Sequence, residues 1–537
     1  IMKKILAVIL CLAMVGSAFT GCASTPPAAS TSPESSASEK TEPVKAESEA
    51  KADGSPLFEK TLEFSILCPV WEPHSKATEK MEIFNEIAKR TNTKIDYQWV
   101  PQDGYQDRVT TVLASGDIPE VMSLNKGREM MIDQGAIIPL DDYLAKSGGN
   151  ILSTMEDVLP MVKNPTDGKI YGIPFVLDYK PAYSMLVRKD WMDKVGVTKV
   201  PSTWDEWLAM WTKFKDEDPN GDGSTTNDIP YGGDIYSLMP AFGLNITDKN
   251  AFLVKDDTYT LAYEVPEFKE YLNAVRGMYE KGLLDGEFAT RGTFVNQKEF
   301  EKAMFSGVVG SAMTWAEMAK RVTESVKDVK PDAKMIGVAP LTGTTGVGAI
   351  PARGKASLNA ALTITAEQNG KAEDIIKYYN WIFSEEGTTL SSFGIEGVHY
   401  TMTDGKPIIN EPYNKSFVEA RGAGLNFTPL PHLFSSVAYE QILLSGKTYE
   451  ECDESTKLFY DALHAAGDKY YTVPPVLSTK AFQQKQATIM PKLETMLAEC
   501  VIGKITVDEF FAEYEKLKPI GLQEILDEGK AAWDKMK

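Results

Sequence analysis

The stretch Asp218-Pro-Asn-Gly-Asp-Gly-Ser-Thr-Thr-Asn-Asp228 sets oxygen-bearing side chains at alternate positions and then a glycine that permits a sharp turn. Hard cations such as calcium take oxygen ligands, and this spacing is that of the first half of an EF-hand loop. Asp218, Asn220 and Asp222 supply side-chain oxygens and Ser224 a carbonyl. The twelfth position, where a bidentate Glu would close the loop, is Ile229. Asn227 and Asp228, shifted by one place, are left to close it. The expectation is a structural Ca2+; the competing reading is a solvated Asp/Asn/Gly turn.

Catalytic signatures fail at nameable positions. Gly446-Lys-Thr448 would need a glycine at 441 to make a phosphate loop, and that residue is Gln441. Gly346 and Gly348 are followed by Pro351 where a dinucleotide fingerprint wants its third glycine. His74, His399, His432 and His464 have no zinc-site spacing, and no Gly-x-Ser-x-Gly elbow occurs. A carboxylate pair for glycoside hydrolysis could still come from distant parts of the chain, so a secreted polysaccharide-active enzyme stays as a minor alternative to a non-enzyme. The net charge of −20 argues against a nucleic-acid partner.

At the amino end, Lys3 and Lys4 precede an apolar run, Ile5 to Val15, that is too short to span a bilayer and reads as a secretory signal peptide (1–21). It runs into Phe19-Thr-Gly-Cys22, which resembles a bacterial lipobox, with Phe19 where Leu is usual; Cys22 is the expected lipidation site. The Ser/Ala/Pro/Glu/Lys-rich stretch 22–56 has almost nothing apolar to bury and reads as a disordered tether. Cys68, Cys452 and Cys500 are too widely spaced for a disulfide framework and read as isolated buried thiols, the alternative being one bridged pair in an oxidising exterior.

Beyond the tether, strand-length apolar runs alternate with helical periodicity: strand 62–70, helix 77–90, strand 95–100, helix 105–115, strand 121–124. A βαβαβ start predicts an α/β fold with ligand loops at the carboxyl ends of parallel strands. Trp71 and Asn125 directly follow two such strands. Trp315 follows the small-residue run Gly310 to Ala312, and Tyr183 and Tyr236 sit near loops further along. Trp191, Trp204, Trp207, Trp211 and Trp381 lie in helical patterns and are expected to be core.

Three phrases carry a resemblance: Asp167-Gly-Lys-Ile-Tyr-Gly-Ile-Pro174, Met185-Leu-Val-Arg-Lys-Asp-Trp-Met-Asp-Lys-Val-Gly196 and Pro201-Ser-Thr-Trp-Asp-Glu206. Ala360-Ala-Leu-Thr-Ile-Thr365 and Gly394-Ile-Glu-Gly-Val-His-Tyr400 follow in the same order. Together they resemble the family 1 extracellular solute-binding proteins, most closely the large Gram-positive lipoprotein branch linked to complex polysaccharide uptake. The resemblance implies two α/β lobes of the periplasmic-binding-protein type, with a hinge and an interlobe ligand cleft. The lobes are expected as 57–170 with 350–398 and 171–349 with 399–537, the phrase 167–174 being the crossing between them. Ser202 or Thr203 is expected to cap the helix that follows. The implied role is a monomeric, extracellular, lipid-anchored protein that captures an oligosaccharide for ABC permease subunits; the runner-up is the same fold with a peptide, lipid-linked or anionic cargo. A pyranose offers an apolar C–H face and a rim of hydroxyls, which suit aromatic platforms and planar polar groups. Trp71 and Trp315 are therefore expected to stack on sugar rings and Asn125 to hold hydroxyls. Tyr183 and Tyr236 are weaker candidates, and Glu396 is a candidate for sugar hydroxyls whose favoured reading is a turn-fixing, structural one.

Overall fold

The computed structural model describes residues 55–70, 75–124, 128–177, 183–246, 249–292, 296–328, 330–343, 348–352, 356–426, 431–472 and 476–536. Their strands are β1 (Leu62–Val70), β2 (Thr93–Pro101), β3 (Val121–Ser123), β4 (Ile173–Leu177), β5 (Tyr183–Arg188), β6 (Phe252–Lys255), β7 (Thr258–Leu261), β8 (Ser311–Trp315), β9 (Met335–Val338), β10 (Ile350–Ala352), β11 (Ala356–Leu362), β12 (Tyr400–Thr403), β13 (Lys406–Ile409), β14 (Leu433–Phe434) and β15 (Tyr470–Thr472). The first helices are α1 (Ser75–Lys80), α2 (Glu82–Thr91) and α3 (Tyr105–Ser115).

The first sheet has the order β14-β4-β11-β3-β1-β2, parallel except for β11, which runs antiparallel to both β3 and β4. A parallel sheet must be covered on both faces, and β1 meets that demand by alternation. Phe64, Ile66 and Cys68 enter one core with Val121, Ile173, Leu362, Ile375 and Trp381. Leu67 enters the opposite one with Tyr105, Val109, Val112 and Met122. The helix expected over 77–90 is two helices: Met81 adopts a left-handed φ of 57° between α1 and α2 and packs against the buried Ala77 and Phe84.

The second sheet, β8-β5-β9, is antiparallel. Met185 and Val187 of β5 face a large core that holds Trp191, Trp204, Trp207, Trp211 and Phe214, and Leu186 faces another with Ala312, Val322 and Phe459. The tryptophans expected to be core are therefore core. Thr203 caps the helix Trp204–Asp216 by accepting from the Glu206 amide, and the Glu206 carboxylate reaches back to the Ser202 and Thr203 amides.

Two boundaries differ from the sequence reading. The expected crossing, 167–174, runs into β4, which is still hydrogen-bonded in the first sheet, so the passage to the second sheet falls between Leu177 and Tyr183. Residues 399–442, assigned to the second lobe, pack mainly with the first: β14 pairs with β4, and Tyr400, Ile409, Ala420 and Ile442 join the first core, while Phe417 and Tyr439 also touch the second lobe's smaller core, which Leu443 enters. The apolar periodicity of these short elements shows that they are buried, not which core receives them. The carboxyl-terminal helices place Phe482, Leu493, Phe510 and Ile525 in the core around Trp191 and Trp211.

Glu120, 7 % exposed, ties the first sheet together. It accepts from the Ser65 amide (2.9 Å) and hydroxyl, from Asn369 (3.1 Å) and from Lys371 (2.8 Å). Burial pushes its carboxyl up, but Lys371, Ser65 and Asn369 outweigh it and hold the pKa down to about 2. Because the folded value lies below the ordinary 4.5, this group stabilises the fold above pH 4.5 and the contribution is lost as pH falls towards 2. Glu120→Gln is expected to cost about 2 kcal/mol at neutral pH and to flatten the acid limb of the stability profile. Urea unfolding at a series of pH values checks this; an unchanged acid limb would show the network to be idle.

Candidate functional site

Parallel order fixes where the loops of the first sheet emerge. β3 and β4 both run opposite to β11, and β1 runs with β3, so Val70, Ser123 and Leu177 end at one edge of the sheet. Trp71 and Asn125 follow two of these ends but lie outside the described residues, as does Cys22. From Leu177 the chain reaches Tyr183, the first residue of β5, within six residues, a reach of roughly 20 Å. The second sheet therefore begins, at its Tyr183 end, within that reach of the loop edge of the first.

That end carries an aromatic pair. Tyr183 lies opposite Trp315 across the β5/β8 ladder, and their rings stack with centroids 4.4 Å apart and planes at 26°. Both rings remain partly exposed, unlike Trp191, Trp207 and Trp211, which have no exposure at all. Cross-strand register puts the two rings side by side, which neither residue's local sequence shows. A third aromatic is Tyr471 of β15, whose hydroxyl is pushed well above the usual tyrosine range by burial first and by the neighbouring Tyr183 second. That hydroxyl donates to the Ile246 carbonyl at 3.2 Å. Sequence reasoning missed Tyr471; the Tyr470-Tyr471 pair ahead of Pro474-Pro475 was the available signal.

The other candidates lie elsewhere. Tyr236 is 6 % exposed inside the second-lobe core, with burial first and the neighbouring Tyr263 and Tyr271 next among the influences raising its pKa. Glu396 sits on an exposed turn bridged to Tyr400 of the first lobe, which fits the turn-fixing alternative.

The 218–228 loop is wound by its own amides. Asp218 accepts from Gly221 (2.9 Å), Asp222 (3.2 Å) and Gly223 (3.0 Å), Asn220 from the Asp222 amide (2.8 Å), and Asp222 from Ser224 (2.9 Å) and from the Asn227 side chain (2.5 Å). Gly221 and Gly223 take positive φ of 71° and 90°, as the tight winding requires. Asp228 is different: it is 3 % exposed, and neither of its carboxylate oxygens has a hydrogen-bond partner. Burial, then Asp218 and Asp222, pushes its pKa up to about 6. An unpaired buried carboxylate is costly, and an all-oxygen set closing on one suits a hard cation. Among the described residues, no three His, Cys, Asp or Glu side chains gather closely enough to hold an ion by themselves; Asp218 and Asp222 are turned onto the loop's amides.

With this geometry in hand, the likeness to known proteins is direct. The sequence pattern of the bacterial extracellular solute-binding proteins matches residues 74–389. The chain belongs to that family. LipO, a lipoprotein of Bacillus subtilis, is 22 % identical over 478 residues, spanning 86 % of this chain and 90 % of LipO. The polygalacturonan/rhamnogalacturonan-binding protein YtcQ of the same organism is 24 % identical over 482 residues, spanning 85 % and 89 %. Among solved structures, the alginate-binding protein AlgQ2 without calcium ion superposes with a TM-score of 0.65 at 22 % identity over 89 % of this chain and 99 % of AlgQ2. That likeness shows the fold, the two-lobed one of this family. Among the described residues, no helix is long and apolar enough to cross a membrane.

Proposed function

We propose that this protein is the capture component of an ABC importer, a monomer held at the outer face of the cell membrane by an acylated Cys22, and that its cargo is an oligosaccharide handed to permease subunits. The observation that carries the reading is the stacked, partly exposed Tyr183–Trp315 pair at the end of the second sheet where the chain enters it from the loop edge of the first. Flat aromatic faces at a cleft serve the C–H face of a sugar ring. Trp71 and Asn125, following strands of the opposite lobe, are proposed to meet the sugar from the other side. The names of YtcQ and AlgQ2 support a polysaccharide-derived cargo. A thermal-shift panel of neutral and acidic oligosaccharides, run beside a product assay on the same compounds, tests the reading. Stabilisation by a saccharide with no turnover is expected. Stabilisation by peptides alone would replace the cargo, and product formation would make the protein an enzyme.

The 218–228 loop is proposed to hold a structural Ca2+. Asp218, Asn220, Asp222, Asn227 and Asp228 would give side-chain oxygens and Ser224 its carbonyl, neutralising the buried Asp228. EDTA is expected to lower the melting temperature and CaCl2 to restore it, with Asp222→Ala removing the response. A melting curve indifferent to chelator would end the proposal.

A further inference from the structure

The residues that follow Asp228 run straight into the sheet that carries the aromatic pair. Ile229 bridges Val309 in parallel, its amide donating to the Val308 carbonyl (2.9 Å) and its carbonyl accepting from the Gly310 amide (2.8 Å). The Gly232 amide donates to the Ser311 carbonyl (2.9 Å). Residues 229–232 thus run alongside residues 308–311, which lead into β8, whose last residue is Trp315. On their other side, the Tyr231 amide donates to the Leu283 carbonyl and its carbonyl accepts from Asp285 (both 3.0 Å).

This ladder has little slack. The Ser311 hydroxyl donates to the Pro230 carbonyl (2.7 Å) and accepts from the Trp211 indole (2.8 Å), so one buried side chain locks this segment to β8 and both to the tryptophan core. Gly310 lies so near Trp191 and Phe214 that a Cβ there would fall 2.7–2.8 Å from their rings, and a Cβ on Gly232 would fall 2.7 Å from Val309. Close-packed elements of this kind move together or not at all.

We infer that a hard divalent cation seated in the 218–228 loop stiffens the pairing of residues 229–232 with the lead into β8 and so fixes the Tyr183–Trp315 platform before cargo arrives. The inference rests on the reading of the loop as a cation site. Asp228 is its point of action: coordination anchors the residue immediately before the ladder, whereas without an ion its carboxylate stays buried and without a hydrogen-bond partner, facing the charges of Asp218 and Asp222 at the ladder's start. Platform residues already held in place lose less freedom on binding, and linkage then requires that cargo tighten the hold on the cation by the same factor.

The test needs no saccharide. Amide hydrogen exchange is followed by mass spectrometry on the intact protein in CaCl2 and in EGTA. Calcium is expected to slow exchange several-fold in 218–228 and also in 229–233 and 310–315, while β1 is unaffected. Asp228→Asn should abolish all of these changes. Ser311→Ala, which removes the side-chain lock, should keep the effect in 218–228 and diminish it in 312–315. Slowing confined to 218–228 in the wild-type protein would overturn the inference and leave the cation site standing. No slowing anywhere would overturn both.

Discussion

Replacing Trp315 by alanine is expected to weaken binding of the cognate saccharide by on the order of 2 kcal/mol, as loss of an aromatic anchor usually does, while leaving stability within about 1 kcal/mol of wild type. The separation follows from exposure: Trp315 keeps part of its surface open beside Tyr183 and packs the rest against the Leu186 and Ala312 core, so truncation removes exposed aromatic surface and leaves no fully enclosed cavity. Tyr183→Ala should follow in the same direction with a smaller loss, because its ring gives the cargo less area. Titration calorimetry with the saccharide found in the thermal-shift panel, beside urea unfolding of the same proteins, reads both quantities. Unchanged affinity in Trp315→Ala, or a protein that no longer folds, would return Trp315 to the core and remove the platform.

Trp211→Ala should behave in the opposite way. Trp211 has no exposure, packs edge-on to Trp204 and Tyr231 at 6.0 and 5.5 Å, lies 5.3 Å from Trp207, and spends its indole N–H on Ser311. Truncating so large a buried side chain costs about 3–5 kcal/mol, and the Ser311 hydroxyl loses a donor as well. The expected result is a large drop in urea midpoint. A loss below about 1 kcal/mol would mean that the tryptophan cluster is not the mechanical centre of the second lobe.

What the sequence made legible was local. The pattern at 62–70, 105–115 and 121–124 located three elements of the first lobe to within a residue, because burial and capping act over a few positions. The tryptophans at 191, 204, 207 and 211 were assigned to packing from their helical context. The stacking of Tyr183 on Trp315 was not legible, since it depends on register between strands far apart in sequence. The same holds for Tyr236, whose chain neighbourhood looks like a loop and whose ring is nevertheless surrounded by Tyr263 and Tyr271. The loop at 218–228 shows its oxygen spacing in sequence, and with it Asp228 as a closing residue in place of Ile229; that its carboxylate is buried without a hydrogen-bond partner depends on packing that the spacing does not carry.

The place of β11 in the first sheet bears on how the protein comes into being. This strand, residues 356–362, is wedged between β3 and β4, and β14, residues 433–434, completes the far edge beyond β4. A polypeptide made from its amino end therefore has β1 to β4 in hand long before the strand that must join β3 to β4. The second sheet, β8-β5-β9, draws only on residues 183–338 and can close earlier. Pairings that span so much intervening chain form late, since loop closure must precede their reward. The order in which the sheets close is thus the reverse of the order in which they are begun: the second sheet closes first, though its lobe still awaits the carboxyl-terminal helices, and the first sheet waits with open strand edges, the form most exposed to aggregation and most in need of a chaperone.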